Sequence, residues 1–211
     1  KAYQHQASQH TPATTAVVLI APTWGEHSIF NSCGDELTGL LLDAGYRVII
    51  RPHHQTIQMT PEVMDDLKAK YGHRDNFEYQ DRMDESDTLF RSDILICDWS
   101  AMAIEYALGL EKPVLFIDLP RRVRNPDWLA LGIEPQEASF RELAGEIVSP
   151  QQLDEVPQKI AGMLENMEGF RLTMKSLRTQ MVFNLGNSIK PGAAEIARLA
   201  DEKALERQAR E

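Results

Sequence analysis

Apolar residues in this chain come in short solid blocks, separated by stretches with helical spacing. Ala16 to Ala21 (AVVLIA), Tyr46 to Arg51 (YRVIIR), Ile94 to Cys97 (ILIC) and Val114 to Ile117 (VLFI) are rich in β-branched side chains and short. Such runs fit strands buried on both faces of a sheet. Asn76 to Tyr79 is predicted as a weaker strand and Glu146 to Val148 as a last short one. Between these blocks the period changes. Leu37, Leu40, Leu41 and Ala44 recur at helical spacing, predicting a helix from about Asn31 or Ser32 to Ala44 with Gly45 at its end. Thr60-Pro61-Glu62 opens another, Thr as cap and Pro at the first helical position, ending near Lys70 to His73. Further helices are predicted over Glu85 to Arg91, Ala101 to Leu110, Phe140 to Gly145, Ser149 to about Met167, Gly169 to Phe183 and Pro191 to about Gln208. Leu119 to Gly132 reads as loop.

This alternation defines an α/β protein with a doubly wound, mostly parallel, Rossmann-like sheet. Its clearest unit is Ser92 to Asp118, SDILICDWSAMAIEYALGLEKPVLFID, which runs strand, turn, helix, strand. Ligands of such sheets sit beyond the carboxyl ends of the strands, where a loop meets the next helix. Three loops qualify: Thr23-Trp24-Gly25 after the first strand, Arg51-Pro52-His53-His54 after the second, and Asp98 to Ala101.

Composition narrows the partners. With 211 residues, 43% hydrophobic and 26% charged, the chain fits one globular domain. The opening KAYQHQASQHTPATTA starts at Lys1, is polar and lacks periodicity. Residues 1–15 therefore read as a linker or tag remnant, and 16–211 as one α/β domain, cut from a longer protein. The net charge of −10 argues against a nucleic-acid surface, though a nucleotide needs only local N–H groups and one or two cations. Cys33 and Cys97 lack metal-like spacing, which points to a reduced, cytoplasmic setting. No apolar run approaches the length of a membrane span, and no signal-peptide pattern is visible.

Each candidate residue has a plain structural alternative. Ser100 reads as a helix cap or as a phosphate ligand beside free N–H groups at a helix start. Glu105 is an acidic residue favoured early in a helix, or a carboxylate for two ribose hydroxyls. Arg51 and His53 follow a strand, where His53 can donate to a phosphate or move a proton, or be an ordinary loop histidine. Adjacent His53 and His54 point apart and nothing completes a metal set, so no zinc site and no cofactor is expected. Neither a G-x-G-x-x-G nor a Walker loop occurs. Gly186-Asn187-Ser188 is a turn with a cap or a further phosphate loop. Arg121, Arg122 and Arg124 either meet an anion or are solvated.

Taken together, APTW (Ala21 to Trp24), RPHH (Arg51 to His54), SDILICDWSAMAIEYA and FNLGNSIKPGAAEIA from Phe183 resemble, in order, the motifs of the CDP-glycerol glycerophosphotransferases, the teichoic-acid polymerase and primase type. Trp99 stands where that family has Tyr, Ala101 where it has a second Ser, and His54 where it has Pro. The resemblance implies half of a GT-B fold and a donor such as CDP-glycerol. Its diphosphate would sit at Asp98, Ser100 and Ala101, its ribose toward Glu105, with Thr23, Trp24, Arg51 and Ser188 nearby and His53 as the catalytic group on the transferred phosphoryl. It also implies a missing amino-terminal acceptor domain carrying the base, cell-surface polymer synthesis, and work at the inner membrane face through the full-length protein. The competing readings are a GT-B glycosyltransferase or epimerase-like domain using a UDP- or GDP-sugar, and a non-catalytic nucleotide-binding domain.

Overall fold

The computed structural model describes residues 15–80 and 87–208, apart from 122, 124 and 126. Six strands form one sheet: β1 (Val17–Ile20), β2 (Arg47–Ile50), β3 (Phe77–Tyr79), β4 (Ile94–Cys97), β5 (Val114–Ile117) and β6 (Gly145–Val148). Their order is β3-β2-β1-β4-β5-β6 and every pair is parallel. Val18 of β1 faces Val48 of β2 on one side and Ile94 of β4 on the other. The solid apolar runs are explained by this register. β1, β4 and β5 are buried along their whole length, because helices cover both faces.

Among the described residues ten α-helices connect or follow the strands: α1 (Ile29–Ser32), α2 (Gly34–Asp43), α3 (His54–Met59), α4 (Pro61–Tyr71), α5 (Asp87–Arg91), α6 (Met102–Leu110), α7 (Gln136–Ala144), α8 (Val156–Glu165), α9 (Met167–Met181) and α10 (Ile189–Gln208). One core packs Leu37, Leu41, Met64, Leu67, Val156 and Ile160 on one sheet face; the other packs Ala103, Tyr106, Ala107, Phe140 and Met174 on the opposite face.

Several expected boundaries shift for local reasons. The first helix is two, because Cys33 leaves helical geometry at φ −147° between α1 and α2. Gly45 then takes φ +88° just past α2, which glycine tolerates best. Residues 55–59, assigned to no element from the sequence, join His54 in forming α3, with His53 as its cap. Thr60 caps α4 by position only, since its hydroxyl donates to the Thr56 carbonyl at 3.2 Å. The helix expected from Ser149 begins as a 3-10 turn, Leu153–Glu155, and continues as α8. The Leu119 to Gly132 loop contains a 3-10 turn, Trp128–Leu131. Part of the helix expected from Glu85 lies outside the described residues. Every described side chain from Phe183 to Ala204 is exposed, so the apolar face expected of α10 covers nothing in this chain. Among the described residues no helix is long and apolar enough to cross a membrane.

Lys112, in the turn between α6 and β5, ties that turn to the α5–β4 connection. It is 6% exposed, and its Nζ donates to the carbonyls of Phe90 at 2.7 Å and Ser92 at 2.5 Å. Burial pushes its pKa from 10.5 down to about 8, opposed by nearby Asp93. Between about pH 8 and 10.5 the unfolded chain holds this proton and the folded chain has released it, so stability from this group rises with pH across that window. Relative to Lys112→Met, the wild type should gain up to about 3 kcal/mol over the window. Urea midpoints at a series of pH values check this; a pH-independent difference contradicts it.

Candidate functional site

Sheet order places the crevice between β1 and β4, where successive connections leave toward opposite faces. Asp98, the first residue after β4, closes the floor of this crevice and is 1% exposed. One carboxylate oxygen accepts the Thr23 N–H at 2.7 Å and the other accepts the Ile29 N–H at 3.1 Å. The side chain thus caps α1 from across the sheet, where Ser28 makes no side-chain cap of its own. Burial raises the Asp98 pKa, while the N–H groups of Thr23, Ile29 and Trp99 pull it down. Asp98 therefore braces the β1 loop with both oxygens, and the Thr23 N–H is spent on it.

Beside this brace the chain turns into α6. The cap position falls on Ala101, with φ −60° and ψ −21°, and no side chain caps the helix. Ser100 therefore does not serve as the N-cap. Its carbonyl accepts the Ala103 N–H at 3.1 Å, and its own N–H hydrogen-bonds to the buried Cys97 thiol, whose pKa burial pushes up. A helix start without a capping side chain keeps the positive end of its dipole for an anion. Glu105 is exposed, four residues after Ala101 and so on the same face of the helix as its start.

Two strands away, His53 caps α3. Its Nδ1 accepts the Gln55 N–H at 3.1 Å, which places the proton of the neutral ring on Nε2. The ring stacks on Trp24, centroids 6.1 Å apart and planes 26° apart, and lies 4.3 Å from the His54 ring. Trp24 and His53 are thus brought together at the carboxyl edge of β1 and β2.

Arg51 is 5% exposed, and burial pushes its pKa down; its N–H extends the sheet by donating to the Ile20 carbonyl at 2.9 Å. Ser188 is exposed and precedes α10, whose side chains through Ala204 are exposed. Among the described residues no group of three or more His, Cys, Asp or Glu can hold a metal ion.

The sequence reading missed the support behind Ser100. Trp99 donates from Nε1 to the Leu119 carbonyl at 2.6 Å. The Arg141 guanidinium carbon lies 3.9 Å from the centre of its ring and that of Arg121 4.6 Å. Arg141 is buried and also reaches the Asp118 carboxylate at 3.1 Å. Arg121 pairs with Glu134 at 2.7 Å and lies 5.5 Å from the Trp128 ring centre. Two cations on one indole hold the Trp99 ring in place behind the turn, each with a carboxylate partner of its own. A basic residue between Phe140 and Ala144 on the buried face of α7 was the available signal. Arg122 and Arg124 lie outside the described residues.

A doubly wound sheet in the 3-2-1-4-5-6 order, with an uncapped helix start at its switch point, defines a nucleotide-binding type of α/β domain. The chain belongs to the CDP-Glycerol:Poly(glycerophosphate) glycerophosphotransferase family, whose model matches residues 4–119. That match includes the Trp24, His53 and Ser100 loops and stops before the Ser188 turn. No curated protein sequence matches the chain. Among solved structures it is similar to an α,α-trehalose-phosphate synthase (UDP-forming) from Burkholderia vietnamiensis, with TM-score 0.56, 10% identity and coverage of 96% of this chain and 50% of that one. It is also similar to a putative UDP-N-acetylglucosamine 2-epimerase from Listeria monocytogenes, with TM-score 0.51, 13% identity and coverage of 82% and 44%. The fold is one half of the GT-B architecture, and the chain spans about half the length of these two solved structures.

Replacing Asp98 by Ala leaves two backbone N–H groups without their acceptor, at a cost of about 1–3 kcal/mol for each that stays buried. Asp98→Asn keeps one acceptor and should lose roughly half as much. Urea denaturation of the two variants measures this, and a wild-type midpoint in Asp98→Ala contradicts the bracing role.

Proposed function

We propose that this chain is the donor-binding domain of a glycerophosphotransferase, taking CDP-glycerol and delivering its glycerol-phosphate group to an acceptor hydroxyl in cell-surface polymer synthesis. The observation that carries the reading is the uncapped start of α6, held at the switch point by Asp98 and flanked by Trp99 with its two arginines, in a chain of this family. The donor diphosphate occupies the N–H groups of Ala101 and the first turn of α6, with the Ser100 hydroxyl beside them. Glu105, on the same face, accepts the ribose hydroxyls. His53 donates from Nε2 to the phosphoryl group that moves.

The reaction is a phosphoryl-type transfer. An acceptor oxygen bonds to the donor phosphorus, the bond from phosphorus to the CMP oxygen breaks, and the acceptor proton passes to a base. Positioning and charge stabilisation do the work of this half. In this reading the acceptor and its base come from a further domain. Work at the inner membrane face follows from that further domain as well.

A second reading, a UDP- or GDP-sugar transferase, draws on the replacement of the family's second Ser by Ala101. Calorimetric titration with CMP, CDP-glycerol, UDP and GDP separates the two. Cytidine nucleotides should bind best, and Ser100→Ala and His53→Ala should each weaken CDP-glycerol about tenfold, the worth of roughly one charge-assisted hydrogen bond. No binding of any cytidine nucleotide to the folded chain sinks the reading.

A further inference from the structure

Arg141 projects from α7 into the interior and is 4% exposed, although a guanidinium cannot shed its charge. It meets the Asp118 carboxylate at 3.1 Å and the Ile117 carbonyl at 3.4 Å. Its Cζ lies 3.9 Å from the centre of the Trp99 ring and 5.4 Å from that of Phe116. Exchanging a buried ion pair for apolar side chains of similar volume is often neutral or stabilising. Filling space therefore does not account for Arg141. A cation kept in the interior points to a geometry that it holds.

The geometry within its reach is that of Trp99. Three contacts converge on this residue. Its backbone N–H donates to the Asp98 carboxylate, its indole N–H donates to the Leu119 carbonyl at 2.6 Å, and its ring carries the Arg141 guanidinium. Packing alone leaves the ring room. A cavity of about 10 Å³, the size of one water, opens among Trp99, Ser100, Ala103, Phe140 and Arg141. Where this void borders the ring there are no partner atoms to hold it, so the cation and the Leu119 bond fix its position.

Ser100 and Ala101, the next two residues, open the anion site proposed above. Ala101 at the cap has only its N–H to offer, with no side chain to reach for a ligand. Backbone donors cannot swing to follow a ligand as a side chain does, so the turn that aims them decides how well they bind. We propose that Arg141 is a positioning residue: through the Trp99 ring it fixes the Asp98 to Ala101 turn so that the N–H groups opening α6 converge on a diphosphate. That this diphosphate belongs to a nucleotide donor rests on the function proposed above; the link from Arg141 through Trp99 to the turn does not.

NMR of the full chain tests this, with inorganic pyrophosphate and CDP-glycerol titrated separately. The Ala101, Met102 and Ala103 amides and the Trp99 indole N–H are followed, and both ligands should move these amides in the wild type. Arg141→Met should shift the indole resonance before any ligand is added and weaken pyrophosphate about fivefold, the fold-change of one cation–π contact. In a Trp99→Leu background Arg141→Met should cause no further loss, because the ring it acts through is gone. An Arg141 that touched the anion itself would cause the same loss in both backgrounds, and that result overturns the proposal. So do wild-type pyrophosphate affinity in Arg141→Met, an unmoved indole resonance, and a wild type whose three amides respond to neither ligand. If Arg141→Met does not fold, Trp99→Leu alone decides, and unchanged pyrophosphate affinity there overturns the proposal. Pyrophosphate binding without CDP-glycerol binding sinks the transferase reading and leaves the role of Arg141 standing.

Discussion

One buried carboxylate sets the geometry of the whole ligand edge. Asp98 follows β4, yet its two oxygens hold the backbone of the β1 loop and the first turn of α1. A charge in that position is sustained only because N–H dipoles replace the water it gave up. The consequence is that the loops after β1 and β4 cannot move independently. Trp24 is carried on the first loop and Ser100 on the second, so their separation is fixed by the same side chain. His53 joins them through its stack on Trp24.

Around that brace, charge is arranged by depth. Arg141 and Arg121 lie against the Trp99 ring, behind the α6 start, and each is paired with a carboxylate, Asp118 and Glu134. The β2 side carries the buried Arg51, the neighbouring rings of His53 and His54, and an exposed carboxylate at Glu26.

Strands were legible because burial on both faces forces solid apolar runs, and those runs bound β1, β2, β4 and β5 within a residue. Helix ends were less so. Nothing in Cys33 announces a break, and α3 is a short helix whose cap, His53, is not among the usual capping residues. At the candidate site, motif position put Trp24, His53, Ser100 and Glu105 at the carboxyl edge of the sheet, but could not tell how deeply a side chain lies. Asp98 and Arg51 sit at the same edge by sequence and both are buried in the fold. Arg141 was hidden for the opposite reason, since it reaches Trp99 from a helix some forty residues away (roughly, as contacts across a parallel sheet require). The turn at Ser188 resembles a ligand loop but leads only into the exposed α10.

The most direct test is a crystal structure of the chain with CDP-glycerol bound. The diphosphate should lie on the N–H groups at the start of α6, with Asp98 still holding Thr23 and Ile29 and the glycerol end directed toward His53. A nucleotide bound at the opposite edge of the sheet, or one whose diphosphate avoids the α6 start, would contradict the central role given to the Asp98 switch point.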